Sequence, residues 1–401
     1  MNAPILPGAT IGFLGGGQLG RMAAMAARSM GYDVHVLDPD PNCPARAIAS
    51  RTITAPFNDV AAAVELARGC HVVTLEIEQI SAEALDAANQ YAPVRPGSAA
   101  IFVIQHRLRQ KTWLGEQHFP VGDFRAASSA ADVAYAVADM GASIAKSCHG
   151  GYDGRGQVRL TSASAADSAW IALGSEPCIV EQQLDIEVEV SVLVARRPGG
   201  ETVAYPPSRN HHTHGVLTWA VIPAGLPEEL LERASALASD IANRIGIVGL
   251  LAVEFFVTRD GRLLVNELAP RPHNTFHHTE RACGTSQFEQ LIRAICDLPL
   301  GATEVLAPGA IVNLLGEVWL EPSPPDIGGA LAVPSSRLHL YGKSNARHGR
   351  KMGHLSAVGG SAHDALSRVL TSYELLSPST AGSLELASSL PMFHQASRIN
   401  S

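Results

Sequence analysis

Gly249-Leu-Leu-Ala-Val-Glu-Phe-Phe-Val257, then Asp260-Gly261, then Leu263-Leu-Val-Asn-Glu-Leu268 is the stretch from which the rest of the chain can be read. Two apolar runs of strand length flank Asp-Gly, the dipeptide that closes tight hairpins because both residues tolerate positive φ. A two-residue turn pairs Arg259 with Arg262 and Thr258 with Leu263. Counting outward sets Glu254 opposite Glu267, with side chains roughly 5 Å apart on one face, where like charges repel. Leu250, Leu251, Phe255, Phe256, Leu264 and Val265 leave little polar surface, so an exposed edge carrying two unrelated acids fits poorly. Either one carboxylate keeps a proton or a hard divalent cation, magnesium above all, sits between the two.

The remaining composition narrows the classes of protein. A chain of 401 residues, 46% hydrophobic and 17% charged, buries a large core and divides into two or three domains. No window of about eighteen apolar residues appears, and Met1-Asn-Ala-Pro4 lacks the basic start and apolar run of a secretory signal. The expectation is a cytoplasmic protein with no membrane partner. Cys43, Cys70, Cys148, Cys178, Cys283 and Cys296 form no C-x-x-C pair, which points to small core residues and not to disulfides or structural zinc. A net charge of −8 argues against general nucleic-acid binding. Against it, Arg337 to His354 holds Arg337, Lys343, Arg347, Arg350 and Lys351 without one acid. That island suits an anionic small ligand or, equally, a solvated loop.

Along the chain, Thr10-Ile-Gly-Phe-Leu14 precedes Gly15-Gly-Gly-Gln-Leu-Gly20 and a helical pattern through Met30. Val34-His-Val-Leu37 then ends in Asp38, and Val72-Val-Thr-Leu75 ends in Glu76-Ile-Glu78. Residues 1–110 therefore read as a parallel α/β domain with ligands at the strand C-termini. Residues 111–184, with a helix near Ala130 to Met140 and strands at Ser143 to Lys146, from Val158, and at Cys178 to Val180, form a second unit. In 185–300, Ile186, Val188, Val190, Val192 and Val194 alternate with polar residues as a strand, Glu187 and Glu189 sharing one face. Ser286-Gln-Phe-Glu289 opens a helix toward Ile295 as a capping box. Residues 301–376 make a small C-terminal domain, with Leu320 to Gly329 a connection or insertion, and the Ser/Ala-rich stretch 377–401 reads as a mobile tail. No internal repeat is visible.

Lys146-Ser-Cys-His-Gly-Gly-Tyr-Asp-Gly-Arg-Gly-Gln157 is a second glycine-rich segment, lying between two strands. Such a loop can close over an anion with its N–H groups inward, while Lys146 adds a point charge. It lacks the Gly-Lys-Ser/Thr of a Walker A loop, and Tyr152, Asp153 and Arg155 make it more than an ordinary hairpin. Glu181-Gln-Gln-Leu184 leaves a strand where free backbone could bond an adenine edge, and Glu189 could accept ribose hydroxyls. Pro270-Arg-Pro-His-Asn274 brings Arg271 close to the carboxylate pair. His211, His212 and His214 read as a polar loop, since adjacent strand residues face opposite ways.

Taken in order, glycine-rich lid, adenine-type segment, paired carboxylates and an arginine resemble the ATP-grasp superfamily. Gly15 to Met22, Gly150 to Gln157, Ala252-Val-Glu-Phe-Phe256, Asn266 to Asn274, Thr285-Ser-Gln-Phe-Glu289 and Gly349-Arg-Lys-Met-Gly-His354 resemble, within it, the 5-(carboxyamino)imidazole ribonucleotide synthases of purine biosynthesis. The resemblance covers about residues 8 to 360. It implies an α/β ATP-grasp fold with an N-terminal pre-ATP-grasp domain and a small C-terminal domain, in a homodimer. By it, ATP would be bound by Arg107, Lys146, Gly151, Tyr152, Asp153, Gly154, Arg155, Gly156, Gln157, Glu181, Gln182, Gln183, Leu184, Glu189, His212, Asn266 and Glu267. Glu254 and Glu267 would hold magnesium. The aminoimidazole ribonucleotide would lie among Gln18, Leu19, Glu76, Tyr152, Arg155, Arg271, His273, Asn274, Lys343 and Arg350, with the N-terminal glycine loop serving its phosphate. His106 stands where the family commonly has Asp, and His214 replaces a usual acid.

The implied reaction joins ATP, bicarbonate and 5-aminoimidazole ribonucleotide through carboxyphosphate, with Asp153, Arg271 and Lys343 as the catalytic groups. Asp153 would orient the substrate amine and take its proton. Two other classes remain. A nicotinamide oxidoreductase uses Gly15 to Gly20 and Asp38, but leaves the carboxylate hairpin idle. A non-catalytic nucleotide-binding regulator leaves the amine-handling residues idle.

Overall fold

The computed structural model describes residues 3–150 and 156–383. Gly151, Tyr152, Asp153, Gly154 and Arg155, on which several of the expected contacts fall, lie outside them. Four parallel strands, β1 (Thr10–Leu14), β2 (Asp33–Asp38), β3 (Arg51–Thr54) and β4 (Val72–Leu75), make the first sheet in the order β3-β2-β1-β4. The strand order reverses between β1 and β4, and crevices at such points sit outside the strand C-termini. Leu14 pairs with Leu75 there, so the glycine loop after β1 meets Glu76-Ile-Glu78 after β4. Helices α1 (Gln18–Ser29), α2 (Val60–Arg68) and α3 (Ala82–Asn89) belong to this unit, and α4 (Ser98–Ile104) and α5 (Arg107–Glu116) lead out of it.

A four-stranded antiparallel sheet follows, with β5 (Phe124–Ala127), β6 (Ser143–Ser147), β7 (Gln157–Leu160) and β8 (Cys178–Gln182) in the order β5-β8-β6-β7. Helices α6 (Ala130–Met140) and α7 (Ala166–Ala172) close a small core of Val133, Val137, Ala145, Leu160 and Val180 against it.

The largest sheet contains β9 (Ile186–Arg196), β10 (Thr202–Ala204), β11 (Ser208–Thr213), β12 (Val216–Ile222), β13 (Gly249–Thr258), β14 (Leu263–Ala269), β15 (Gly309–Leu315), β16 (Ser336–Leu340) and β17 (Lys351–Val358). Its order is β14-β13-β9-β11-β12-β15-β17-β16, with β10 beside β9, so the C-terminal strands extend the central sheet and make none of their own. Alanines 234, 238 and 242 let α8 (Glu228–Arg244) approach that sheet closely. After α9 (Thr279–Ala282) comes α10 (Gln287–Ile295), whose Ser286 cap accepts the Glu289 amide at 3.1 Å, a bond typically worth about 1 kcal/mol. Phe288, Leu291, Ile292 and Ile295 of α10 share one core with Ala23, Ala24 and Ala27 of α1, which fixes the N-terminal sheet over the central one.

Two segments differ from the sequence reading. Helices α11 (Ile327–Ala332), α12 (Ala362–Leu376) and α13 (Pro378–Ser383) finish the described chain, so the stretch expected as a tail from Ser377 begins with a helix. The Tyr373 and Thr380 hydroxyls, 3.1 Å apart, join α13 to α12. The hairpin turn also holds three residues and not two. Thr258 N donates to Arg262 O at 3.0 Å and Gly261, at φ 84°, donates to Thr258 O at 2.8 Å. Val257 therefore pairs with Leu263, Phe256 with Leu264 and Phe255 with Val265. A bulge next restores the expected partners, because Asn266 is skipped and Glu254 pairs with Glu267. No described helix is long and apolar enough to cross a membrane.

Candidate active site

The three sheets enclose a cavity of about 740 Å³. Of the described residues expected on the ATP side, Arg107, Lys146, Gln157, Glu181 to Leu184, Glu189, His212, Asn266 and Glu267 line it, as does Glu254. So do Gln18, Leu19, Glu76, Arg271, His273, Asn274, Lys343 and Arg350 of the ribonucleotide side. Gly156 is not among the lining residues; its carbonyl accepts the Ser147 amide at 2.9 Å.

At the centre, Glu254 is buried to 9% exposure opposite Glu267. Burial and then the Glu267 charge push its carboxyl pKa well up. His273 Nε2 lies 3.2 Å from Glu254 Oε1, and its Nδ1 lies 2.8 Å from the Thr275 hydroxyl. Burial, with Arg271 and Lys351 nearby, holds His273 far below the usual imidazole range. A neutral His273 donating through Nε2 fits that geometry. Two facing carboxylates, with Asn266 also on the cavity wall, form an oxygen-rich donor set suited to a hard divalent cation.

On the lid side, Glu181 bridges two ammonium groups. Lys111 Nζ lies 3.2 Å from Glu181 Oε1 and 3.1 Å from Val265 O, and Lys146 donates to the other Glu181 oxygen. Burial alone would raise the Glu181 pKa, but Lys111 and Lys146 outweigh it and hold it at about 2. The Gln182 and Gln183 amides are taken by the carbonyls of Asp123 and Ala142. Glu189 Oε2 meets His212 Nδ1 at 2.6 Å. Burial disfavours the imidazolium there, but the Glu189 bond and charge outweigh it and raise the His212 pKa. Contrary to the loop reading, His211 and His212 sit on β11. As adjacent strand residues they face opposite ways: His212 lines the cavity, and His211 stacks on Trp219 at 5.1 Å. Lys111 carries no motif that singles it out; only the contact between α5 and β14 reveals it.

At the N-terminal end, Glu76 caps α1. It accepts from the Gly17 amide and, at 2.5 Å, from the Gly20 amide. Burial raises its pKa, with these two bonds opposing. A Cβ at Gly17 would stand 2.4 Å from Glu76 Oε1, which is why glycine is needed there. A protein carboxylate thus holds the helix N-terminus, a place where anions bind. Lys343 Nζ donates to Gln18 Oε1 and to Lys351 O, both at 2.8 Å, and Arg350 donates to Asn345 O at 2.7 Å. Arg271 Nε pairs with Glu78 Oε1 at 2.8 Å. Asn274 Oδ1 lies 3.1 Å from His277 Nε2. Asp38 accepts from the amides of Gly16 and Asp40 at 2.7 and 2.8 Å, and Glu76 fills the α1 N-terminus where a dinucleotide pyrophosphate would sit, which weighs against the nicotinamide reading.

Away from the cavity, Glu280, His339 and His354 gather their ligand atoms within 4.8 Å of one another. The two imidazoles stack parallel at 4.5 Å and 7°, so their lone pairs run side by side and not toward one point.

Three family models match the chain: a ribonucleotide synthetase preATP-grasp domain over residues 8–105, an ATP-grasp domain over 112–288 and a phosphoribosylaminoimidazole carboxylase C-terminal domain over 309–368. Fold and cavity together define an ATP-grasp ligase. An N5-carboxyaminoimidazole ribonucleotide synthase of Bacillus subtilis is 40% identical over 88% of this chain and 92% of its own length. One from Brucella melitensis is also 40% identical, over 88% and 97%. A solved N5-carboxyaminoimidazole ribonucleotide synthetase in complex with ADP superposes with a TM-score of 0.87 at 40% identity, covering 97% of this chain and all of the other. The Aspergillus clavatus enzyme, solved with ADP and 5-aminoimidazole ribonucleotide, gives 0.85 at 29% identity over 92% and 98%. This chain belongs to the N5-carboxyaminoimidazole ribonucleotide synthase family.

Proposed function

We propose that this protein carboxylates 5-aminoimidazole ribonucleotide with bicarbonate at the expense of ATP, giving N5-carboxyaminoimidazole ribonucleotide, ADP and phosphate. One observation carries the reading: a single cavity joins the lysine-lined lid sheet to the basic island across the buried Glu254–Glu267 pair. Glu254 and Glu267, with the Asn266 amide, would hold Mg2+, which when bound screens the charge of the ATP phosphates. Lys146, set by Glu181, would meet the phosphates, and Arg107 would flank them. The adenine would lie against Leu184, with its ribose near Glu189 and His212.

A bicarbonate oxygen attacks the γ-phosphorus, ADP leaves, and carboxyphosphate forms, with Arg271 neutralising charge on the transferring group. The exocyclic amine then attacks the carboxyl carbon, or carbon dioxide released from it, and phosphate departs. Asp153 orients the amine and takes its proton. Lys343 and Arg350 hold the ribonucleotide phosphate, while Gln18, Leu19, Glu76, His273 and Asn274 surround the rest of that substrate. Closure of Gly151 to Gln157, including Tyr152, Gly154, Arg155 and Gly156, over the site would keep water from the intermediate. By resemblance to the family, the working form is a homodimer in the cytoplasm. ADP release measured with and without aminoimidazole ribonucleotide and bicarbonate tests the reading; release that ignores both substrates overturns it.

A further inference from the structure

Glu78 stands at the cavity wall just beyond β4, paired with Arg271. Its Oε1 lies 2.8 Å from Arg271 Nε, and both side chains are about four-fifths buried. Each is held from behind. The Gln105 amide, which follows α4, satisfies its hydrogen bonds when its nitrogen is turned toward the carbonyls of Glu78 at 3.0 Å and Ile80 at 3.2 Å. Two residues earlier, Glu76 is fastened to the Gly17 and Gly20 amides. Arg271 Nη1 donates to Pro272 O at 3.1 Å. A guanidinium held through Nε and Nη1 in this way keeps a fixed plane, and Nη2 remains to meet an anion.

The cavity is lined by charges of both signs: Glu76, Glu254 and Glu267 attract a guanidinium, while Lys343, Arg350 and Lys351 repel it. Glu76 feels the Arg271 charge. The Glu78 bond gives Arg271 one fixed place among them. Because Glu78 follows β4 of the N-terminal sheet and Arg271 follows β14 of the central one, this bond also ties the two units together across the cavity.

We propose that Glu78 is a positioning residue that aims Arg271 at the transferring phosphoryl group. The proposal rests on the carboxylation reading above. Glu78 then governs turnover and leaves ATP affinity alone.

The test is steady-state kinetics of Glu78→Gln, Arg271→Lys and the double variant, with ADP binding and melting temperature measured on each. Glu78→Gln is expected to lower kcat on the order of 10- to 100-fold, the scale of a small misplacement of a catalytic group. The KM for ATP should stay within about twofold, and Glu78→Asp should recover part of the loss. In an Arg271→Lys background, adding Glu78→Gln should cost less than about twofold, because the group it aims is already gone. Losses that multiply in the double variant would show that Glu78 acts on its own and overturn the proposal. A fall in melting temperature together with a higher KM for ATP would make Glu78 a docking contact between units, and overturn it as well. If the unmodified enzyme released no ADP in response to aminoimidazole ribonucleotide and bicarbonate, the carboxylation reading would fall, and the role of Arg271 with it.

Discussion

Glu254 faces Glu267 across the central hairpin because Asn266 is the extra residue of a β-bulge. Without the bulge, the three-residue turn would set Glu254 against Asn266, and Glu267 would point to the other side of the sheet. The bulge thus brings two carboxylates and an amide to one wall of the cavity.

Glu267→Gln is expected to remove most turnover, since it takes one of two carboxylates from the cation. Glu254→Gln should do the same, less completely if Glu267 supplies both ligand oxygens. Rates are to be measured at saturating magnesium. Near-normal turnover in both variants would end the metal assignment.

How far the sequence reaches shows at this hairpin. Asp260-Gly261 and the flanking apolar runs announce two strands, and the facing glutamates follow from them. Turn length and bulge do not, because Thr258 uses its hydroxyl to bind the Arg262 amide at 3.1 Å, a choice no two-residue turn rule contains. The glycine loop after β1 was equally legible as a loop before a helix. That Glu76, more than fifty residues on, fills its amides depends on β1 lying beside β4. Lys111 and Glu78 are hidden for the same reason: each is an ordinary charged residue until a distant segment supplies its partner. Ser377 to Thr380 reads as tail by composition, yet its hydroxyls bond to one another and to Tyr373.

The basic island should govern the ribonucleotide and not ATP. Lys343→Ala and Arg350→Ala are expected to weaken apparent ribonucleotide affinity by roughly 1.5–3 kcal/mol each, the range for a lost charged hydrogen bond. Gln18→Ala should reproduce part of the Lys343 effect, because the Gln18 oxygen helps fix that ammonium at 2.8 Å. Should these variants raise the Michaelis constant for ATP alone, the island belongs to another ligand.

Asp153 is expected to act on the substrate amine. Asp153→Asn keeps the size of the side chain and loses the proton acceptor, so product formation should fall by about 10²–10⁴. ATP binding and a slow bicarbonate-dependent ATPase should persist. ADP affinity, melting temperature and product yield measured on one preparation decide the matter, and a uniform loss of all three would assign Asp153 to the shape of the loop.

Glu181 carries the clearest stability prediction, because it is buried between Lys111 and Lys146. In Glu181→Gln both ammonium groups lose their counter-charge, and breaking a buried pair typically costs about 3–5 kcal/mol. Urea unfolding at pH 7 should show that loss. Its pH dependence follows from the carboxyl, whose pKa is held at about 2 in the fold against an ordinary value of 4.5. A depressed carboxyl pKa stabilises the fold fully above the unfolded value, and the contribution drains away as pH falls from about 4.5 toward 2. The gap between wild type and variant should therefore be widest at neutral pH and narrow steadily below about pH 4.5. Burial pushes the Lys111 pKa down, with the Glu181 charge opposing. A gap that stays constant from pH 7 to pH 3 would mean that Glu181 contributes through packing and its neutral hydrogen bonds, and that Lys146 is not set by its charge.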